Sequence, residues 1–393
     1  MSADRAGLFR LISKPRMRVA GKNVYLWLSG AGVMSELLRV DKYTVLEANG
    51  SSFEKGFAYG SYHKQLLRRL IDSHFDFYAR YLQTSKKEAL RDASRYERPI
   101  RDYSEEIAEE VRGTAEGACV QLDEVLLIAA FNEVFYPRLS KACTSFAARG
   151  EATSDHLTYV GQNNDEGIDP WLDGDCTTLT KYSQKTAPDA LIYSYAGAPA
   201  MMGINSAGLS VCINALGFEK PAIAVPMLCV VRELLNQKDL NGALHSIERA
   251  DRAFALNFMV ADTRGIMDVE ANPVNVAVRR SEDILHHANH YLYGTEGFTD
   301  AKPEVYRANS VSRCDRMAGL MNRNRGKLDM NLFQEFLRDH ENKPNTICAH
   351  VNPARPPAHH SRTLDGMIYV PEKREAWITK GNPCQNEFVR YTV

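Results

Sequence analysis

Hydrophobic periodicity changes character once along this chain, near residue 143. Before that point apolar residues recur at helical spacing. From Phe53 to about Leu82 they fall at Leu66, Leu67, Leu70, Ile71, Phe75, Tyr78 and Leu82, the stripe of an amphipathic helix. A second helix is predicted to start near Ser104 and carry Ile107 and Val111, and a third to follow Asp123 as N-cap through Val125–Tyr136. In this first third only Tyr43–Ala48, ending in an Asn49–Gly50 turn, reads as a strand, and residues 1–40 read as an irregular, poorly tied arm. After residue 143 short apolar or alternating runs take over: Leu157–Val160, Ala190–Tyr195, Leu209–Asn214, Leu256–Ala261, Ile266–Glu270, Val274–Val278, Ile284–His287, Gly366–Val370 and Glu375–Ile378. Most are bounded by Gly, Asn, Asp or Pro, as strands are. Helical stretches separate them at Val225–Gln237, Leu240–Ala250, Arg313–Asn322 and Asn331–His340. Strands in this number, with helices grouped between them, fit an α+β layered sandwich better than strict βαβ alternation.

Neither a repeat nor a Pro/Ser-rich linker divides the 393 residues, a length that allows one or two domains. The 48 basic and 49 acidic side chains nearly cancel, so the clustered positive excess of a nucleic-acid partner surface is missing. No apolar run approaches the roughly 18 residues of a membrane span, and no secretory apolar core is present. The eight cysteines (119, 143, 176, 212, 229, 314, 348 and 384) are spread singly, with no CxxC pair. That spacing argues against a structural zinc site and a dense disulfide framework, and it fits a reducing, cytoplasmic setting. Cys212 and Cys229 sit in apolar runs and read as inert core thiols. His286, His287, His290, His359 and His360 lack carboxylate partners at ligand spacing. No metal and no cofactor are expected.

The chemistry-bearing run is Lys141-Ala142-Cys143-Thr144-Ser145-Phe146. A cysteine taken alone is more often a small buried hydrophobe than a nucleophile. This one is followed, in order, by Val160-Gly161-Gln162-Asn163-Asn164-Asp165, a strand running into a polar turn, and by Gly203-Ile204-Asn205-Ser206-Ala207-Gly208-Leu209. Next come His287-Ala288-Asn289-His290 and finally Ser361-Arg362-Thr363. Singly, Asp165 reads equally well as an Asx-turn residue, and Asn205 and Gly208 as turn makers.

Taken as an ordered string, with Gly50, Gly56, Gly60, Ala115-Glu116-Gly117 and Asn132-Glu133 upstream, these motifs resemble the isopenicillin N acyltransferase-like family of N-terminal-nucleophile (Ntn) hydrolases. The resemblance spans roughly residues 43–391. It implies a four-layer αββα sandwich with a mostly helical N-terminal segment. It also implies an inactive precursor that cuts itself between Ala142 and Cys143. Residues 1–142 would then be a pro-segment, or α-subunit, belonging to the same fold, and 143–393 the catalytic β-subunit associated with it. Carried over by motif, Cys143 is the nucleophile, Asp165 the orienting carboxylate, Asn289 the oxyanion-hole amide, and Arg362 the cation that holds the site together. The chain departs from the family's pattern at Ala142, where Gly is usual, at Asn164, where an aromatic is usual, and at Ala288. A methyl at 142 narrows the backbone conformations of the scissile peptide.

Physical chemistry makes those roles coherent. A thiol with an ordinary pKa of about 8.5 needs a base at neutral pH, and a free α-amino group of pKa about 7.7–8 on the same residue can serve. A neutral amide such as Asn289 stabilises an oxyanion without a permanent ion pair, contributing roughly 3–4 kcal/mol. Arg362 offers a planar fork able to bind Asp165 bidentately. The expected activity is hydrolysis, or acyl transfer, of a small N-acyl amide through a Cys143 thioester, with hydrolysis favoured because water is always available. The expected partners are that small molecule and the two fragments for each other. Homo-oligomerisation stays open. Two other readings are an uncleaved binding protein of the same fold, and a conventional Cys–His hydrolase in which His350 serves Cys143.

Overall fold

The computed structural model describes residues 41–135, 142–167, 171, 175–218, 222–294, 296, 300, 303–355 and 360–393. The arm read at 1–40, together with Tyr136, Lys141 and His359, lies outside them. The first third contributes one strand, β1 (Val45–Ala48), and the helices α1 (Ser52–Tyr62), α2 (Lys64–Phe77), α3 (Lys86–Ser94), α4 (Glu97–Tyr103), α5 (Glu105–Ala118), α6 (Leu122–Ala129) and α7 (Phe131–Phe135). The long stripe from Phe53 to Leu82 is thus two helices that break at His63, with α2 running on into a π-turn at Tyr78–Leu82. The helices α3 and α4 were not anticipated; α3 buries only Ala89 and Ala93, too weak a stripe to read. Ser104 caps α5 as expected, its Oγ accepting from Ile107 N. The cap of α6 is Gln121 rather than Asp123, because the Gln121 N–H donates to the Glu124 carboxylate two residues earlier than the sequence suggested.

The α1–α5 contact explains the N-terminal glycines. Gly56 and Gly60 on α1 face Gly113 and Gly117 on α5, each pair one helical turn apart. A methyl at Gly56 would lie 2.0 Å from Glu110 O, and one at Gly117 would lie 2.1 Å from Phe57 O. The two backbones touch, and any side chain forces them apart.

The remaining strands are β2 (Ala142–Ala148), β3 (Tyr159–Gly167), β4 (Thr177–Tyr182), β5 (Ala190–Tyr195), β6 (Met202–Asn205), β7 (Ser210–Ala215), β8 (Leu256–Ala261), β9 (Ile266–Ala271), β10 (Val276–Ser281), β11 (Ile284–His287), β12 (Ser361–Val370), β13 (Glu375–Ile378) and β14 (Val389–Thr392). Helices α8 (Met227–Leu234), α9 (Leu240–Glu248), α10 (Glu304–Arg323) and α11 (Met330–Leu337) lie between them. Among the described residues these strands form two sheets, one in the order β1-β4-β5-β6-β7-β8-β9-β10 and one in the order β11-β2-β3-β12-β13-β14. Every residue of β5, β7, β8 and β9 is buried, which requires cover on both faces. One face meets β2 and β3 of the smaller sheet, and helices including α1 and α9 cover the larger sheet on its other side. The smaller sheet packs its outer face on α10 and α11 through Phe146, Ile368, Met317, Met321 and Phe333. The layers are helix, sheet, sheet, helix, the expected αββα sandwich, and Leu38–Val393 form one compact unit.

The run Gln162-Asn163-Asn164-Asp165 is not a turn. It continues β3 to Gly167, paired on one side with β2 and on the other with β12. Structure elsewhere partners one end of these buried side chains: Asn163 Nδ2 donates to Leu337 O and Ile347 O, and Gln162 Oε1 accepts from Ile213 N. Asn205 and Gly208 do make a turn, with Gly208 at φ +90° and Asn205 Oδ1 accepting from Ala207 N and Leu209 N.

Replacing Gly56 or Gly117 with alanine is expected to lower stability by about 1–3 kcal/mol through overpacking. Gly319→Ala on α10 should do the opposite by roughly 0.5–1 kcal/mol, since its added methyl meets only the end of the Arg323 side chain. Thermal melts of the three variants check the opposed signs; equal shifts would reject the backbone-contact account.

Candidate active site

Strand β2 presents its residues alternately to two layers. Cys143 and Ser145 face the larger sheet, where Ser145 Oγ hydrogen-bonds Asn214 Oδ1 at 2.6 Å. Thr144 and Phe146 face the outer helices, Phe146 stacking on Phe333 with ring centres 4.3 Å apart. The peptide between Ala142 and Cys143 therefore lies between two hollows. Cys143 borders a small inner one with Met201, Ile213, Met227 and Leu228 on its apolar side and Gln162, Asn164 and Glu166 on its polar side. Ala142 borders an outer one with Tyr306, Asn309, Arg313, His350 and Ser361.

Two side chains hold the Cys143 backbone. Its N–H donates to Asn289 Oδ1 at 2.7 Å, and its carbonyl accepts from Arg313 Nη1 at 2.5 Å. Arg313 Nη2 also donates to Asn289 Oδ1 at 3.0 Å, Nη1 to Thr144 Oγ1 at 2.8 Å and Nε to Asn309 Oδ1 at 3.0 Å. Two donors converge on one atom of the Asn289 amide, so that atom is the oxygen, and Nδ2 points the other way to donate to Ala215 O at 3.1 Å. The turn carrying Asn289 is anchored twice. Asn289 N–H donates to Ser310 Oγ, and the buried Glu270 binds His287 Nε2 at 2.9 Å while accepting from the N–H groups of Leu292, Tyr293 and Gly294.

Asp165 is the register partner of both Ala142 and Thr363 and is fully buried. A bulge between Thr363 and Asp365 keeps that pairing, and Thr363 Oγ1 donates to Asp165 Oδ1 at 2.5 Å, while Oδ2 has no hydrogen-bond partner. Burial pushes the carboxyl up to about 7, against the pull of Arg313 and of the Thr363 hydroxyl. Burial likewise pushes the Cys143 thiol up to about 12, aided by the charges of Asp165 and Glu166. In the unbroken chain the thiol is a neutral group in a closed site.

Against this geometry stand the comparisons with known proteins. The family model for acyl-coenzyme A:6-aminopenicillanic acid acyl-transferase matches residues 152–385. The chain belongs to this family. It is accordingly an enzyme of the N-terminal-nucleophile type, an amide hydrolase or N-acyltransferase. Solved structures similar to this family member include the penicillin V acylase from Agrobacterium tumefaciens, 13% identical over 61% of this chain and 83% of that one, with a TM-score of 0.43. A mutant form of the conjugated bile acid hydrolase from Clostridium perfringens is 14% identical over 64% of this chain and 97% of that one, with a TM-score of 0.43.

In this acyl-transferase family member the structure brings Cys143, Asp165 and Asn289 together, and it corrects the expectation for Arg362. The Arg362 guanidinium donates to Thr363 O at 3.1 Å and Asn382 Oδ1 at 3.0 Å, and a bidentate fork on Asp165 is ruled out by the unpartnered Oδ2. The cation hydrogen-bonded to the Cys143 carbonyl is Arg313. Its signal in the sequence was faint but present: it lies on the buried face of α10, in step with Met317 and Met321. Nor does His350 serve Cys143, because its Nε2 is turned to His340 Nε2 at 3.0 Å and to Cys384 Sγ at 3.3 Å. Among the other histidines, His286 meets Cys314 Sγ, His290 meets Ser310 Oγ and His360 meets Arg355 O.

The raised Asp165 pKa has a sign that can be tested. Between its unfolded value near 4 and about 7 the folded chain binds one more proton than the unfolded chain. Stability contributed by this group is therefore present at low pH and falls as pH rises through that window. In a Cys143→Ala background the protein should lose about 2–3 kcal/mol between pH 5 and pH 8 relative to Cys143→Ala/Asp165→Asn. Urea unfolding at the two pH values measures it; parallel changes in the two proteins would remove the buried carboxyl from the account.

Proposed function

We propose that the chain activates itself by cutting the Ala142–Cys143 bond and then hydrolyses a small N-acyl amide through a thioester on Cys143. The observation that carries this reading is the double clamp on Cys143: Asn289 at its nitrogen and Arg313 at its carbonyl, with the thiol facing the inner hollow. In the first reaction Cys143 Sγ adds to the Ala142 carbonyl carbon, the C–N bond breaks, and the acyl group passes to sulfur. Water then hydrolyses that thioester and leaves residues 1–142 with a carboxylate and Cys143 with a free amine. The thiol is held protonated by burial, so a base must take its proton. Asp165, beside Ala142 and with a pKa near neutrality, is suited to that exchange.

After cleavage the α-amino group is the base. Asn289 Oδ1, which accepts from the Cys143 N–H in the unbroken chain, is positioned to accept from that amine and orient it. Asn289 Nδ2 points towards Ala215 on the rim of the inner hollow, where it can donate to the oxyanion of a substrate carbonyl. Arg313 and Asp165 act as positioning groups around the clamp. Water is the simplest acceptor for the acyl group, and an amine in the outer hollow would make the same thioester an acyl donor.

The inner hollow also constrains the acyl group. Asn132 Oδ1, Gln162 Nε2 and Asn164 Oδ1 are buried there without hydrogen-bond partners. Unmet polar atoms there favour an acyl group with its own donors and acceptors over a plain alkyl chain.

Intact-mass measurement tests the proposal. Wild type should separate into 1–142 and 143–393 under denaturing conditions and co-elute under native ones. Cys143→Ala should remain one chain and show no turnover on a panel of N-acyl amides. Wild-type activity in Cys143→Ala would end the proposal.

A further inference from the structure

Away from the nucleophile, the fold gathers four side chains that the sequence scatters. His340 follows α11, Cys348 and His350 lie on the loop that leads into β12, and Cys384 comes from the segment between β13 and β14. One ligand atom from each lies within 4.8 Å of the others. His340 Nε2 and His350 Nε2 are 3.0 Å apart, and His350 Nε2 is 3.3 Å from Cys384 Sγ and 3.9 Å from Cys348 Sγ. Four atoms able to ligate a soft cation thus face one point, and a cation at the centre accounts for the convergence. With Zn–N near 2.0–2.1 Å and Zn–S near 2.3 Å, a tetrahedral ion needs ligand atoms about 3.3–3.8 Å apart, close to the spacing here.

We propose that His340, Cys348, His350 and Cys384 form a structural zinc site. The donor set selects the metal: two thiolates and two imidazoles in tetrahedral array suit Zn²⁺ and exclude the hard cations Mg²⁺ and Ca²⁺. Four protein ligands leave no open position, so the ion braces the fold and does not activate water. Each thiol loses its proton to solvent as it binds. Asn382 supports the sulfur from outside, its Nδ2 lying 3.7 Å from Cys348 Sγ and donating to Ala349 O at 2.9 Å. His350 is exposed and His340 and Cys384 are half-buried, so the site can load from solvent.

The site reaches the catalytic layer through one hydroxyl. Ala349 N–H, between the two central ligands, donates to Thr363 Oγ1 at 2.8 Å, and that hydroxyl donates to Asp165. Thr346, Ala349 and His350 also wall the outer hollow beside Ala142. Zinc would fix this wall by tying it to the chain's last strands.

Metal analysis of the full-length protein, expressed in zinc-supplemented medium and purified under reductant, tests the proposal. About one zinc per chain is expected, together with its loss in Cys348→Ser and in Cys384→Ser and its retention in Cys119→Ser. Replacement by Co²⁺ in wild type should give the visible absorption of tetrahedral cobalt with thiolate charge-transfer bands, a readout that stands even if the serine variants fail to fold. Folded, reduced wild type that takes up neither metal would overturn the proposal. So would freshly isolated protein with a Cys348–Cys384 disulfide and no metal, which would make the pair a redox couple.

Discussion

The Arg313 guanidinium binds the start of β2, the turn after β11 and helix α10 into one unit, and the site depends on that knot. It is a fully buried cation whose direct partners are the Cys143 carbonyl, the Thr144 hydroxyl, and the amide oxygens of Asn289 and Asn309. Neutral acceptors satisfy its hydrogens without neutralising it, so its charge acts at longer range on Asp165. Removing the cation would free the Cys143 carbonyl, take one donor from Asn289 and let Asp165 rise further. The posture of the site's backbone thus rests on this side chain, and its charge tempers the burial that raises Asp165.

Around that knot the alternation of a single strand decides access. Because successive β2 residues face opposite layers, the thiol of Cys143 and the methyl of Ala142 open onto different hollows, one between the sheets and one under α10. The two sides of the same peptide thereby border separate spaces. Thr346, Ala349 and His350 wall the outer hollow, so the cluster of two histidines and two cysteines and the Ala142–Cys143 peptide share a boundary.

Residue type and motif order made Cys143, Asp165 and Asn289 candidates in the sequence, since each sits in a short motif and the motifs occur in a recognisable order. Arg362 lay in such a motif too, yet its side chain runs along the chain to Thr363 O and Asn382, while Arg313 fills the place from a helix whose pattern reads as ordinary amphipathic packing. The polar string at 162–165 looked like a turn because strands in isolation do not bury four consecutive polar residues. Here the backbone carbonyls of Leu337 and Ile347 come from distant parts of the chain to meet the Asn163 amide, and the N–H of Ile213 to meet Gln162 Oε1. Likewise the cysteine spacing argued against a metal because it sees only local separation, whereas Cys348 and Cys384 come together from loops far apart in the chain.

By itself, then, the sequence determined the switch from helical to strand periodicity near residue 143, the α+β class, the candidate nucleophile and the family. These follow from local side-chain pattern, which the backbone obeys wherever a face is buried. Tertiary structure alone decided which arginine serves the site, that Asn289 presents its oxygen to Cys143, that the Asp165 carboxyl is pushed up towards neutrality, and that two histidines and two cysteines converge. Each of those depends on contacts between residues far apart in the chain, where burial and long-range hydrogen bonds, rather than spacing, set the outcome.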